Sequence, residues 1–403
     1  MENWKKTFLI IWSGQVFSLI TTALVQFSII FWITKETGSA TVLSFAAIAA
    51  TLPNIIFGPF IGVWVDRYSR KMIMVLSDYF IALFSLVAAV LFYYNVIEVW
   101  HIYVLLILRS AGSAFYMPAM QAVTPLLAPE EQLMRVNSVN QSLFSAANIA
   151  GPALGAVLIS FFSMQIIMLS DVLGAVIASS TLLFVHIPEI AKKQNVKPNV
   201  MIELKEGINA ILENRGIAWM ICIWMLCVFV YMPINTLFPL MTYNHFKGGA
   251  IEMGIIEIAG AAGMLVGAVI MGYFKFENKK VTMINLGYVI MGITLFSSGL
   301  LPANAFIFFA SFCFVFGISI PFFYTPMMSI IQATIAPEVL GRVFSLFHTI
   351  VMAPSLVGLL ATGLIAEVIG VTMAFSISGF LIILFGMGSF FIPALMKLEI
   401  SKP

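Results

Sequence analysis

The sequence predicts an all-α membrane protein of twelve spans arranged as two six-helix halves. Three observations carry that expectation. The 403 residues are 61% hydrophobic and only 9% charged, with a mean hydropathy of +1.04, which leaves too little polar surface for a soluble chain of this length. Apolar runs of about 20 residues recur along the chain, each long enough to cross a hydrocarbon core of about 30 Å. One sequence pattern is also written twice, half a chain apart. The alternating strands of a membrane barrel are absent.

The expected spans are 8–34, 41–64, 72–94, 99–123, 136–162, 165–187, 217–243, 251–274, 281–301, 304–330, 341–366 and 372–396. The first is too long for a signal peptide and lacks a small-residue cleavage site, so it is expected to stay as a helix. Of the 20 Lys and Arg, only Lys35 and Lys247 fall in outer loops and Arg109 in a span. The rest gather on the side of the N-terminus, which places both termini in the cytoplasm. That bias accounts for the net charge of +2 and implies no nucleic-acid partner. Cys222, Cys227 and Cys313 lie inside spans without partners at ligand spacing, so they read as packing residues and not as a metal site.

Residues 188–216 form the one long polar connection, separating an N-terminal half, 1–187, from a C-terminal half, 217–403. Phe115-Tyr116-Met117-Pro118 and Ala128-Pro129-Glu130 return as Phe323-Tyr324-Thr325-Pro326 and Ala336-Pro337-Glu338, an offset of 208 residues. After a one-residue deletion, Leu133, Arg135, Val136 and Ser138 return as Leu340, Arg342, Val343 and Ser345, and Gly151 falls on Gly358. Two parallel repeats around one midplane site suit a transporter whose halves rock against each other.

Between the second and third spans stand Gly62, Asp66, Arg67, Arg70 and Lys71, read as a charged loop at the membrane surface. Their spacing and position resemble the G-x-x-x-D-R-x-x-R-K signature of major facilitator superfamily transporters, and Gly272, Glu277, Lys279 and Lys280 form a worn copy after span eight. The resemblance implies that superfamily's twelve-helix fold and a cytoplasmic gate. In that gate Asp66 would meet the N-terminal end of span eleven, near Gly341, and Arg70 would pair with Glu130 or Glu131.

The sequence contains no phosphate-binding G-x-x-x-x-G-K-[ST] loop, no H-E-x-x-H and no G-x-S-x-G, so neither ATP hydrolysis nor another enzyme activity is expected. An ion gradient is the remaining energy source, with no cofactor, and charged groups inside spans are the candidates for coupling or substrate contact. Arg109 in span four, followed by Gly112, resembles the superfamily's Arg-x-x-Gly element; it reads either as a tuner of a nearby carboxylate or as one side of a static ion pair. Asp171 in span six reads either as a proton carrier or as a carboxylate capped by hydroxyls such as Ser170. Glu257 in span eight is a candidate cavity acid, with Glu252 at the outer mouth. Asp78 is expected to pair with the basic loop, and His348 to be a hydrogen-bonded packing residue.

Span five carries Gly151, Pro152 and Gly155, a partial match to the G-x-x-x-G-P-x-x-G-G element of drug antiporters, with Ala147 and Ala156 at two of the glycine positions. Ile11-Trp12-Ser13-Gly14-Gln15, Asp171 to Ser179, Tyr231-Met232-Pro233-Ile234-Asn235 and Leu340 to Leu346 are similar to bacterial macrolide-efflux permeases along nearly the whole chain. That resemblance implies a monomeric exporter of hydrophobic or amphipathic drugs in the bacterial cytoplasmic membrane, driven by protons. The 24 Met and 36 Phe suit a shape-tolerant pocket and equally suit lipid-facing helices. The competing readings are a siderophore or lipid exporter of the same fold, and a ligand sensor that transports nothing.

Overall fold

The computed structural model describes residues 4–127, 133–185, 208–273, 279–335 and 337–400. Twelve long helices follow in chain order: α1 (Trp4–Thr37), α2 (Ala40–Arg67), α3 (Arg70–Tyr93), α4 (Val99–Leu127), α5 (Leu133–Phe161), α6 (Met164–Leu183), α7 (Arg215–Leu240), α8 (Ala250–Tyr273), α9 (Lys280–Gly299), α10 (Phe306–Thr334), α11 (Pro337–Ile369) and α12 (Val371–Ser389). A short α13 (Pro393–Ile400) closes the chain. Among the described residues, eleven of these helices are long and apolar enough to cross a membrane, and the described apolar part of α11 is Ala353–Ile369. The chain is therefore a multi-pass membrane protein. Helices dominate because in hydrocarbon every backbone donor and acceptor must be satisfied within the segment.

Two expected elements change. The charged stretch from Gly62 to Lys71 is not an extended loop: α2 continues to Arg67 and α3 begins at Arg70, so the turn itself is Tyr68 and Ser69. Charged side chains at a helix end reach the interface without the helix having to stop. The last expected span, 372–396, is two helices. The first stops at Ser389, and Pro393, which has no N–H to donate, opens the next one.

Proline also sits inside helices, at Pro152 of α5, Pro233 and Pro239 of α7, Pro321 and Pro326 of α10 and Pro354 of α11. Each deletes one backbone hydrogen bond and favours a bend. Just beyond Pro239 the chain passes through a π-helical turn, Met241–His245. Gly370, at φ +87°, makes the tight reversal between α11 and α12 that a side chain would resist.

Contacts divide the chain into two compact units, Met1–Glu36 with Ala46–Val196, and Thr37–Phe45 with Lys197–Pro403. In the first, α3 packs on α4 and α6. In the second, α9 packs on α10 and α12, α8 on α10, and α7 on α11 and α12. The first unit's inner core gathers Phe8, Ile11, Trp12, Ile61, Met74, Val75, Tyr116 and Leu182. The second unit's core is aromatic, with Trp224, Tyr288 and Phe323 in mutual contact and Phe238, Phe309 and Phe375 in another group.

Candidate functional site

Arg109, only 5% exposed, projects from α4 into the interior of the first unit. Its Nη1 pairs with Asp171 Oδ2 on α6 and donates to Ser85 Oγ on α3. Ser85 Oγ also donates to Asp171 Oδ2 at 2.7 Å, and Thr22 Oγ1 of α1 donates to Asp171 Oδ1 at 2.8 Å. Both carboxylate oxygens of Asp171 are thus occupied, by three side chains from three other helices, at 2% exposure. Ser170, expected as a local cap, donates to the Ile167 carbonyl instead. The outcome is a charge-neutral buried pair with its acceptors supplied, the arrangement that lets two charges leave water.

Small residues bring the helices close enough for this. A Cβ at Gly174, one turn beyond Asp171, would collide with Thr21 of α1 and lie 3.2 Å from the Ser18 Cα. On α5, Gly151 faces Ala23 and the backbone of Leu24, while a Cβ at Gly155 would stand 2.8 Å from Phe27 Cδ1. The Gly151-Pro152-Gly155 segment therefore lies flat against α1, beside the helix that supplies Thr22. Asn54 of α2 ties to α4 through Ser110, at 2.8 Å.

The expected pairing of Asp78 with the basic loop rests in part on Arg67, whose side chain lies outside the described residues. Asp78 is 4% exposed within the bundle, and its Oδ2 has no hydrogen-bond partner among the described residues. Lys71, from the charged segment, donates to the backbone carbonyls of Leu183 and Val185 at 3.1 and 2.8 Å, closing the end of α6. Lys280 at the corresponding place in the second unit donates to Ser329 of α10 at 2.9 Å. The side chains of Gly62, Asp66, Arg67 and His348 lie outside the described residues, as do Glu130, Glu131 and Glu277. Arg70 sits in the first turn of α3, half-buried.

Glu257 belongs to the second unit, whereas the Arg109–Asp171 pair belongs to the first. It lies two turns into α8 with its side chain accessible, although Tyr231 of α7 and Cys313 of α10 are within electrostatic reach. Tyr231 Oη donates to Asn235 Oδ1 at 3.3 Å and its ring packs on Phe316. A charged side chain is unstable against lipid, and Tyr231 supplies a polar phenol near this acid. Glu252, in the first turn of α8, accepts from the Gly249 N–H at 2.7 Å and so caps the helix. Gly263 and Gly267 press on the backbone of α10. Among the described residues, no group of three or more His, Cys, Asp or Glu is placed to hold a metal.

The Major Facilitator Superfamily profile matches residues 11–358. Macrolide efflux protein A of Streptococcus pyogenes is 42% identical over 401 residues, covering 99% of this chain and 99% of that protein. The protein of the same name from Enterococcus faecalis is 42% identical over 80% of this chain and 100% of its own length. A crystal structure of a bacterial homologue of the iron transporter ferroportin, in its inward-facing state, superposes with a TM-score of 0.73 at 15% identity, covering 95% of this chain and 98% of that one.

Proposed function

The chain belongs to the major facilitator superfamily, a family of membrane transporters, and from that premise we propose that it exports macrolide antibiotics in exchange for protons, by alternating access. The observation that carries this reading is the 42% identity, sustained over 99% of both chains, to a protein named for macrolide efflux. The Lys and Arg bias supports a cytoplasmic location for both termini. The Gly62, Asp66, Arg67, Arg70 and Lys71 signature supports a gate on that face.

Two of the intramembrane acids, Glu257 and Asp171, take different parts in this proposal. Glu257, accessible and within electrostatic reach of Tyr231, which in turn contacts Asn235 and Phe316, suits a drug bearing a basic amine and a large apolar ring. Asp171 has both oxygens engaged and suits the role of anchor for Arg109 in the coupling mechanism. Aromatic side chains such as Tyr231 and Phe316 can shift to accept ligands of different outline.

The test is accumulation of a labelled macrolide in a drug-sensitive host, with and without a protonophore. Lower accumulation that returns to the control level on adding the protonophore is the expected result. Unchanged accumulation would sink the efflux reading, and protonophore-insensitive efflux would sink proton coupling alone.

A further inference from the structure

The Arg109–Asp171 pair has a second polar layer beneath it that the pair does not use. Thr22, Ser85, Arg109 and Asp171 meet at one level of the first unit. Seven residues along each of α1, α3 and α4, toward the end that carries Lys71, stand Gln15, Asp78 and Tyr116; eight along α6 stands Ser179. Seven residues make almost two full turns, about 10 Å of helix, and return a side chain to nearly the same face. The close approaches agree with this register. A Cβ at Gly14 would lie 3.1 Å from the Ala178 Cα, and one at Gly112 would lie 2.8 Å from Ile81. Asp78 is within electrostatic reach of both Tyr116 and Asp171.

All four side chains of this layer are at least nine-tenths buried, at 0%, 4%, 6% and 0% exposure for Gln15, Asp78, Tyr116 and Ser179. Gln15 Nε2 and Oε1, Asp78 Oδ2, Tyr116 Oη and Ser179 Oγ have no hydrogen-bond partner among the described residues. A single orphan of this kind is costly, and several at one level on four helix faces are the kind of group that buried water satisfies. Phe8, Trp12, Met74 and Val75 pack in the same cluster as Tyr116.

Asp78 is the only carboxyl group of the four, and among the described side chains no Lys or Arg stands at its level. α1 offers Gln15, α4 offers Tyr116, and α6 offers Ser179. Among the described residues an opposite charge, Arg109, stands two turns away and is already paired, although its Nε has no acceptor among them. Resting on the proton-exchange reading above, we propose that Asp78 is the proton carrier of the transport cycle, with Gln15, Tyr116 and Ser179 holding the water through which it loads and unloads. Asp78 Oδ2 takes a proton from a hydronium ion and returns it to water; no other bond changes. When the proton leaves, the Asp78 charge competes with Asp171 for the spare donor of Arg109, which links protonation to the packing of α3, α4 and α6. Asp171 then positions Arg109 and carries no proton itself.

The test uses purified full-length protein in weakly buffered detergent with a pH indicator, to which a macrolide is added. Wild type releases protons on binding, with a yield that passes through a maximum against pH. Asp78→Asn, checked for monodispersity, binds the macrolide within about twofold and releases less than a tenth as many protons. Asp78→Glu restores the release, and Gln15→Leu shifts its pH optimum. Undiminished release from Asp78→Asn, or loss of release from Asp171→Asn alone, overturns the assignment while leaving proton exchange intact. Wild type that binds macrolide and releases no protons at any pH overturns both, and the same result accompanied by sodium-dependent binding assigns the layer to a sodium ion. If Asp78→Asn fails to fold, Gln15→Leu and Tyr116→Phe carry the test; unmoved pH profiles in both overturn the proposal.

Discussion

Where α4 of the first half carries Arg109, the repeat places Gly317 on α10 of the second; where α6 carries Asp171, α12 carries Ser378. One interior is therefore held by a buried ion pair with hydroxyl partners, the other by backbone pressed on backbone. A Cβ at Gly317 would collide with the Gly260 carbonyl of α8, and one at Gly379 would collide with α9 at Phe296. The aromatic cluster of Trp224, Tyr288 and Phe323 fills the remaining space. The same helix order tolerates both because a six-helix half needs closely packed helices, and either a neutralised pair or a glycine contact supplies them. The pair brings charged groups into the first interior, whereas a glycine contact carries no titrating group. The accessible acid, Glu257, lies in the half whose core holds the Trp224, Tyr288 and Phe323 cluster.

Breaking the ion pair gives the largest expected effect. Arg109→Ala leaves Asp171 as an unpaired charge at 2% exposure and should lower stability in detergent by about 3–5 kcal/mol. Replacing both Arg109 and Asp171 by Leu should recover most of that loss in thermal unfolding. Drug efflux by the double variant would reduce the pair to a packing device, while its loss would keep the pair in the coupling mechanism.

The converse change, Gly317→Leu, overpacks the α8–α10 contact and should cost about 1–3 kcal/mol, read as a lower unfolding temperature. A stable Gly317→Leu protein would mean that the second half is not held by that close approach. Thr22→Val removes one donor from Asp171 Oδ1 without changing volume much. It should cost about 1.5 kcal/mol, the lower range for a hydrogen bond to a charged group. Glu257→Gln should leave stability unchanged, because the side chain is accessible. It should weaken binding of a cationic macrolide about tenfold, or ~1.4 kcal/mol, and leave a neutral analogue unaffected; equal weakening of both would remove the amine contact.

Much of this architecture is legible in the sequence. Hydropathy gives the helices because a hydrocarbon solvent allows few alternatives, and most expected edges lie within a few residues of the observed ones. The misses have local causes. The charged motif is helical on both sides of a two-residue turn, since charge marks the membrane surface and not the helix end. Pro393 signalled the break after Ser389, but the apolar run on either side concealed it. Arg109 and Asp171 could each be singled out as charges inside spans. That they meet, and that Thr22 and Ser85 complete the set, depends on three interhelical registers that no short motif encodes. The burial of Asp78, 4% exposed, was hidden for the same reason, since it depends on how α3 is turned against α4 and α6.

The sequence by itself determined the helix count, the twofold repeat and the superfamily, because burial of the backbone in lipid and the spacing of surface charges are one-dimensional constraints. The tertiary structure decided which charges are paired, which acid stays accessible and which polar groups are left without partners. Those outcomes depend on the rotation and depth of each helix against its neighbours, where a shift of one residue turns a side chain about 100° and exchanges a buried partner for lipid.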